Sequence, residues 1–371
     1  MSGSDILNSS TTPQTCDTDC QTNGCKTAES LPIPRLLSVK KRKLVLHIDL
    51  NNTILVSDAV TKHGTVAALE YFLSTVTWGR LTKGKWEWIS ESPSLLSPCE
   101  GAVSYYSQFG RVTGFTTTGP GQRFRNVLDE NLKLLLWPSD LPADKELSVK
   151  GEDGRLYHWI LPSFFHLLQD LTSQGIEFSV LFRTFGTDLP RLLNVVHRVL
   201  TQCSHPLFPA LPDLKLSVNT MPGQIRCNTK GATVTRGEER VSTVDGERSV
   251  YQYFSSSHGL GGFQDHFNWW ARNTYSIMGG KPLWIDPFDS TVQHIFIDDN
   301  IRQNDDDTIV HPKVFLESEG SVTRTASTSE LYDLCLIQND LLGAISNPSY
   351  FTQRIHICME NYERNLMGQP D

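Results

Sequence analysis

Residues 43–55 read KLVLHIDLNNTIL, and no other stretch narrows the fold as much. Positions 44–48 are apolar or nearly so and follow a basic cluster, the pattern of a short buried strand. The run ends on Asp49, and Asn51, Asn52 and Thr53 follow. A carboxylate at the carboxyl end of a buried strand lies where ligands bind in open α/β sheets. Asp49 either opens a turn or faces a ligand there, and sites further along the chain decide between the two.

The second half of the chain supplies the matching layers. SFFHLLQDLTSQG (163–175) predicts a helix with Pro162 before it, Ser163 as cap and Gly175 at its end. Phe164, Leu167, Leu168 and Leu171 share one face of it. IEFSVLFRTFG predicts a buried strand ending near Arg183 or Thr184. DLPRLLNVVHRVL predicts a second amphipathic helix, started by Thr187 or Asp188, with Pro190 in its first turn. Helix, strand and helix in that order describe a wound α/β layer on a parallel sheet. HIFIDDN is another short buried strand, ending on Asp298 and Asp299, and TIVHPKVF is one more. Residues 329–345 read as a helical tail and 346–371 as a C-terminal tail.

About a hundred residues separate the first strand from the next clear sheet element, too many for a structureless loop. VAALEYFLSTV and FRNVLDENLKLLLW read as helices, and TWGRLTKGKWEWIS as a hairpin around Lys83 and Gly84. Residues 61–155 are therefore expected to be an inserted cap subdomain on a core of 39–60 and 156–345. Residues 1–38 form a polar tail, disordered over about its first 35 residues. Residues 205–260 read as strand-like pieces and an exposed hairpin, a smaller insertion ahead of Lys281. FQDHFNWWARNTYSIMGG reads as a helix that packs Phe263, Phe267 and Trp270.

The net charge of −8 excludes a general nucleic-acid binder, and no apolar run approaches the length of a membrane span. The N-terminus lacks a signal-peptide pattern, which points to a cytoplasmic chain, with VKKRK leaving a nuclear address open. Cys16, Cys20 and Cys25 lack the paired spacing of a zinc site and read as free thiols.

Four features carry chemistry: Asp49 after a strand, Thr184 after a strand, Lys281 in GGKP, and Asp298 with Asp299 after a strand. The strand-end residues can meet at the carboxyl edge of one parallel sheet. Such a set suits phosphoryl or similar group transfer through an aspartyl intermediate. A carboxylate is a weak nucleophile and attacks phosphorus only when the phosphoryl oxygens are neutralised. Mg²⁺ on hard oxygen ligands such as Asp49 and Asp298 or Asp299 does part of that. A Thr hydroxyl and a Lys ammonium add to it, and clustered carboxylates need a cation to coexist.

In this order the features resemble the haloacid dehalogenase-like (HAD) superfamily. HIDLNNTIL resembles its first motif, a strand followed by DxDx(T/V), and FSVLFRTFG its second, a strand ending in Thr or Ser. GGKP resembles the third and IFIDDN the fourth, so the resemblance spans about 41–315 without the insertions. It implies an α/β fold with a Rossmann-like three-layer core, a parallel sheet, Mg²⁺ as cofactor and access controlled by a cap. It implies Asp49 as nucleophile, Thr184 as donor to the phosphoryl group with Asn52 also on the phosphate, and Lys281 as charge stabiliser. Asp298 and Asp299 would form the metal site, with the backbone carbonyl of Asn51 also facing the metal. The partner would be a phosphorylated small molecule or a phosphoprotein.

One position departs from the pattern. The family's phosphatases carry a second Asp two residues after the nucleophile, as acid and base, and here that position is Asn51. An amide cannot shuttle a proton, and losing such a group typically costs about 10²–10⁴ in rate. The chain is then a weak phosphatase that borrows a base, a catalyst of another family reaction, or a pseudoenzyme that binds a phosphorylated ligand or a protein. His63, His158 and His258 lie in or near the insertions as candidate bases, while His47 reads as a core histidine. Arg183 either binds phosphate or pairs with a carboxylate. Asp305, Asp306 and Asp307 read as a solvated turn, and Trp86 and Trp88 line a lid or pack it.

Overall fold

The strand Lys43–Asp49 is buried along its whole length, and its side chains divide between two cores. Leu44, Leu46 and Ile48 enter one apolar cluster and Val45 another, as the two-residue period of a strand requires. A strand covered on both faces belongs at the centre of a parallel sheet. The computed structural model, which describes residues 42–57, 64–202, 204–303 and 308–368, places it there.

The central sheet has eight strands in the order Glu239–Ser242, Gly231–Arg236, Gly223–Asn228, Gly259–Gln264, Phe178–Thr184, Lys43–Asp49, Val292–Asp298 and Leu336–Gln338. The six from Gly223–Asn228 to Leu336–Gln338 run parallel, and the two at the other edge are antiparallel. The fold is thus mixed α/β around a large, mostly parallel sheet. Helices Pro162–Ser173, Leu189–Thr201 and Tyr350–Gly368 cover one face, and Glu247–Ser255 lies on the other. A second, three-stranded sheet of Lys281–Ile285, Val310–Phe315 and Thr323–Thr325 packs beside it.

Several expectations need correction. Residues 329–345 are not one helix: a short helix Thr328–Leu331, the strand Leu336–Gln338 and a helix Leu341–Ser346 replace it. The supposed tail 346–371 contains the helix Tyr350–Gly368, which puts Phe351, Ile355 and Cys358 into the main core. Those three fall at i, i+4 and i+7, one stripe of a helix. Residues 223–242 are no separate insertion but a meander that lengthens the central sheet. The helix expected across residues 263–280 is instead the end of a strand, Gly259–Gln264, a six-residue α-helix, Phe267–Arg272, and a single 3-10 turn, Ile277–Gly279. Phe263 is buried as expected, whereas Phe267 is exposed.

The insertion holds the expected helices at Thr65–Thr75 and Arg125–Leu135 and the hairpin Trp78–Thr82 with Lys85–Trp88. Its Leu69, Phe72, Phe115 and Leu128 share the main apolar cluster with Leu46 and Ile48. Residues 40–371 accordingly form one compact unit, and the insertion is not a unit of its own. Trp86 and Trp88 pack it, against Tyr105 and Phe124. No helix among the described residues is long and apolar enough to cross a membrane. The expected disorder of the N-terminal tail, Cys16, Cys20, Cys25, His63 and the 305–307 carboxylates lie outside the described residues.

Candidate functional site

From the first strand the chain adds Phe178–Thr184 and then Gly259–Gln264 on one side. It then returns to place Val292–Asp298 and Leu336–Gln338 on the other. The order reverses at the first strand, and the carboxyl ends on either side of such a reversal leave a crevice. Asp49 and Asp298 end the two strands that flank it, in register through the pair Ile48 and Ile297.

Lys281 joins them. Its Nζ donates to Asp49 Oδ1 at 2.5 Å, to Asp298 Oδ2 at 2.8 Å and to the Arg183 carbonyl at 3.3 Å. The lysine opens the first strand of the second sheet, so that sheet's position beside the central one delivers the ammonium. Asp299 completes a group in which Asp49, Asp298 and Asp299 each offer an oxygen within 4.8 Å of the others. All four side chains are buried. The Asn300 amide donates to Asp298 Oδ1 at 2.8 Å, its side-chain Nδ2 donates to Asp299 Oδ1 at 3.0 Å, and Thr53 reaches Asp49 Oδ2 at 3.4 Å.

Two of the three carboxylates, Asp49 and Asp298, contact the one ammonium, and the imbalance shows in their protonation. Burial, opposed by Lys281 and reinforced by Asp298, raises the Asp49 carboxyl to about 7. Burial together with Asp298 and Asp49 pushes Asp299 well above the usual carboxylate range. Burial would lower the Lys281 ammonium, but Asp298 and Asp49 outweigh it and raise it. Arg302 stands nearby but donates to the Asp299 carbonyl and the Asn300 side chain. A hard divalent cation fits this donor set: three oxygen ligands, close together, with negative charge left over.

Thr184 and Asn51 meet beside Gly186. A Cβ built on that glycine would lie 3.3 Å from Thr184 Oγ1, 3.4 Å from Asn51 Oδ1 and 4.0 Å from Asp188 Oδ2. Thr184 Oγ1 accepts the Gly186 amide at 2.9 Å, and Asn51 Nδ2 donates to Ser57 Oγ at 2.7 Å. Asn52 has a different place. It is buried with φ 57°, and its carbonyl accepts from Asn339 Nδ2 at 2.9 Å. Among the described residues its side-chain oxygen has no hydrogen-bond partner, and no contact joins it to the carboxylates.

The remaining candidates fall away from the crevice. Arg183 is paired with a carboxylate, Asp265, through two bonds of 2.9 and 2.7 Å. His47 is a core histidine, bonded to Arg183 and His294 at 3.0 Å each, and burial holds it neutral. His158 lies against Trp137. His258 precedes the strand Gly259–Gln264, at the opposite edge of the sheet from Asp49. Four neighbours were not foreseen: Asp265, Asn300, Asp188 and Tyr71. Tyr71, on the first insertion helix, has its phenol raised by burial first and by Asp299 next, and the Arg111 guanidinium lies 4.2 Å from its ring centroid. Only Asn300 carried a signal, as the polar residue that follows the paired carboxylates.

A scan of protein-family models, a search of curated proteins and a search of solved structures each return no match to this chain.

Proposed function

We propose that this chain is a Mg²⁺-dependent phosphatase-like hydrolase of HAD type, acting on a phosphorylated small molecule or a phosphoprotein through an aspartyl-phosphate on Asp49. One observation carries the reading: the Lys281 ammonium lies between Asp49 and Asp298 at the point where the strand order reverses, with Asp299 alongside. A buried Asp beside an ammonium and two further carboxylates is costly to keep unless it serves a ligand.

Asp49 attacks phosphorus, and the bond to the leaving oxygen breaks. Water then cleaves the acyl phosphate and restores the carboxylate. Thr184 accepts the Gly186 amide, so its own proton remains to donate to a phosphoryl oxygen. Lys281 supplies positive charge beside the nucleophile. Held by Asp49, Asp298 and Asp299, Mg²⁺ would neutralise the phosphoryl oxygens further. The insertion acts as the cap, a reading supported by Tyr71 of its first helix, whose phenol is raised by burial first and by the charge of Asp299 next. Unpaired Cys99, Cys227, Cys335 and Cys358 support a cytoplasmic setting.

A second reading rests on Asn51, which cannot exchange a proton: a protein that keeps the fold and binds a phosphorylated ligand without turnover. Purified protein with Mg²⁺ and an aryl phosphate separates the two. The enzyme reading expects turnover that Asp49→Asn abolishes. Phosphate binding with no turnover across a broad panel of esters, and activity that first arises in Asn51→Asp, would establish the binding reading instead.

A further inference from the structure

Loss of the leaving group requires a proton, and the water that cleaves an acyl phosphate must give one up. Asn51 can do neither. We infer that Asp188 is the proton-transfer residue of this site, standing in for the acid that position 51 lacks. The inference rests on the hydrolase reading above.

Two independent observations point to Asp188. The first is position. Its Oδ2, Asn51 Oδ1 and Thr184 Oγ1 all face one spot beside Gly186, at 4.0, 3.4 and 3.3 Å from where a Cβ would stand. Glycine keeps that spot open, one residue from the aromatic ring of Phe185, which lies 5.1 Å from Lys281 Nζ. The second is the state of the side chain. Asp188 is the N-cap of the helix Leu189–Thr201, a place where an aspartate normally accepts a backbone N–H of the first turn. Here it makes no such bond, and its backbone has helical dihedrals (φ −76°, ψ −13°). The carboxyl is left half-buried, turned toward Gly186 and uncommitted among the described residues.

The chemistry balances with that one group. In the first step Asp49 forms a bond to phosphorus, the phosphorus–oxygen bond of the ester breaks, and the departing oxygen takes the electron pair and the Asp188 proton. In the second, water attacks phosphorus, its proton passes to the Asp188 carboxylate, and the electron pair of the broken acyl-phosphate bond returns to Asp49. Phosphate leaves, and Asp188 is protonated for the next ester. No further reactant is needed. A proton donor matters most for a poor leaving group, because a phenolate departs without help and an alkoxide does not.

The test uses the full chain with Mg²⁺, p-nitrophenyl phosphate as the easy substrate and glycerol 2-phosphate as the hard one. Asp49→Asn is expected to abolish both reactions. Asp188→Asn is expected to lower kcat on glycerol 2-phosphate by about 10²-fold or more, on p-nitrophenyl phosphate by much less, and to leave KM nearly unchanged. Adding Asn51→Asp to Asp188→Asn should restore the alkyl activity. Asparagine caps a helix as well as aspartate, so the variant should fold, and its melting temperature checks that. If Asp188→Asn matches the native protein on glycerol 2-phosphate while Asp49→Asn is dead, the Asp188 assignment falls and the hydrolase reading stands. Equal slowing of both substrates without rescue by Asn51→Asp marks a structural role and also overturns it. No turnover of either ester by the native protein overturns both.

Discussion

Two buried ionic groups lie next to each other under the carboxyl edge of the sheet, and they are built on opposite principles. In the first, Arg183 gives two bonds to Asp265, one to the Pro282 carbonyl and one to His47 Nδ1. Since a guanidinium only donates, His47 must accept there and donate from Nε2 to His294 Nδ1, and His294 in turn donates from Nε2 to Ser255. Burial keeps both imidazoles neutral, with His294 lowered to about 3. One positive and one negative charge cancel, and the chain of donors and acceptors closes. The second group sets three carboxylates against Lys281 and does not cancel. The balanced group holds strands together. The unbalanced one has charge to spare for a ligand, although the two share the Arg183 residue, whose carbonyl accepts from Lys281.

The largest test of this contrast is functional. Asp49→Asn should abolish phosphate-ester turnover without lowering the melting temperature, because it removes surplus negative charge. A large loss of stability would place Asp49 with the structural group. Next comes Arg183→Met, which strands Asp265 and should destabilise the fold by about 3–5 kcal/mol in urea titrations. An unchanged midpoint would show that the balanced group is not structural.

The third test uses pH. The Asp49 carboxyl is raised to about 7 and Asp299 is raised as well, so the folded chain binds protons more tightly than the unfolded one. Their contribution is therefore complete below the usual carboxylate range and is lost as pH rises through about 7. Metal-free protein should melt progressively lower from pH 6 to 8. Mg²⁺ at a hundredfold excess over its Kd should stabilise the chain by about 2.7 kcal/mol, and a fixed Mg²⁺ concentration should recover more at pH 8 than at pH 6. Asp298→Ala should erase that recovery, and a native protein indifferent to Mg²⁺ would rule out the metal. The smallest effect belongs to Ser57→Ala. It removes one hydrogen bond from Asn51 and should cost about 0.5–1.5 kcal/mol in thermal or urea unfolding.

What could be read in advance follows from chemistry at strand ends. The apolar runs before Asp49, Thr184 and Asp298 announced parallel strands, and polar residues at their carboxyl ends announced a crevice. Gly259–Gln264 was hidden because GLGGFQ has little strand propensity. Its glycines answer a packing demand, since a Cβ on Gly262 would lie 2.5 Å from Leu189 of the helix above and 3.0 Å from Phe182 of the next strand. Leu336–Gln338 is only three residues long, too short for a two-residue period to stand out from the helical pattern around it. The pair of Arg183 with Asp265 joins residues 82 positions apart, which no local pattern encodes. The same holds for Asp188, whose sequence neighbours announce a helix cap and whose side chain does not act as one.

The central position of the first strand has a consequence for the chain as it is made. Lys43–Asp49 is made well before the strands it pairs with, residues 178–184 and 292–298. At roughly 5–20 residues per second, its second edge waits roughly ten to fifty seconds for Val292 to leave the ribosome. Through that interval an apolar strand ending on Asp49 has one edge open, and the helix that holds Gln293 through the Cys358 carbonyl has not yet been synthesised. A growing chain that still lacks Cys358 cannot hold Gln293 in its final setting, so the strand that ends on Asp298 settles only after that helix has been made.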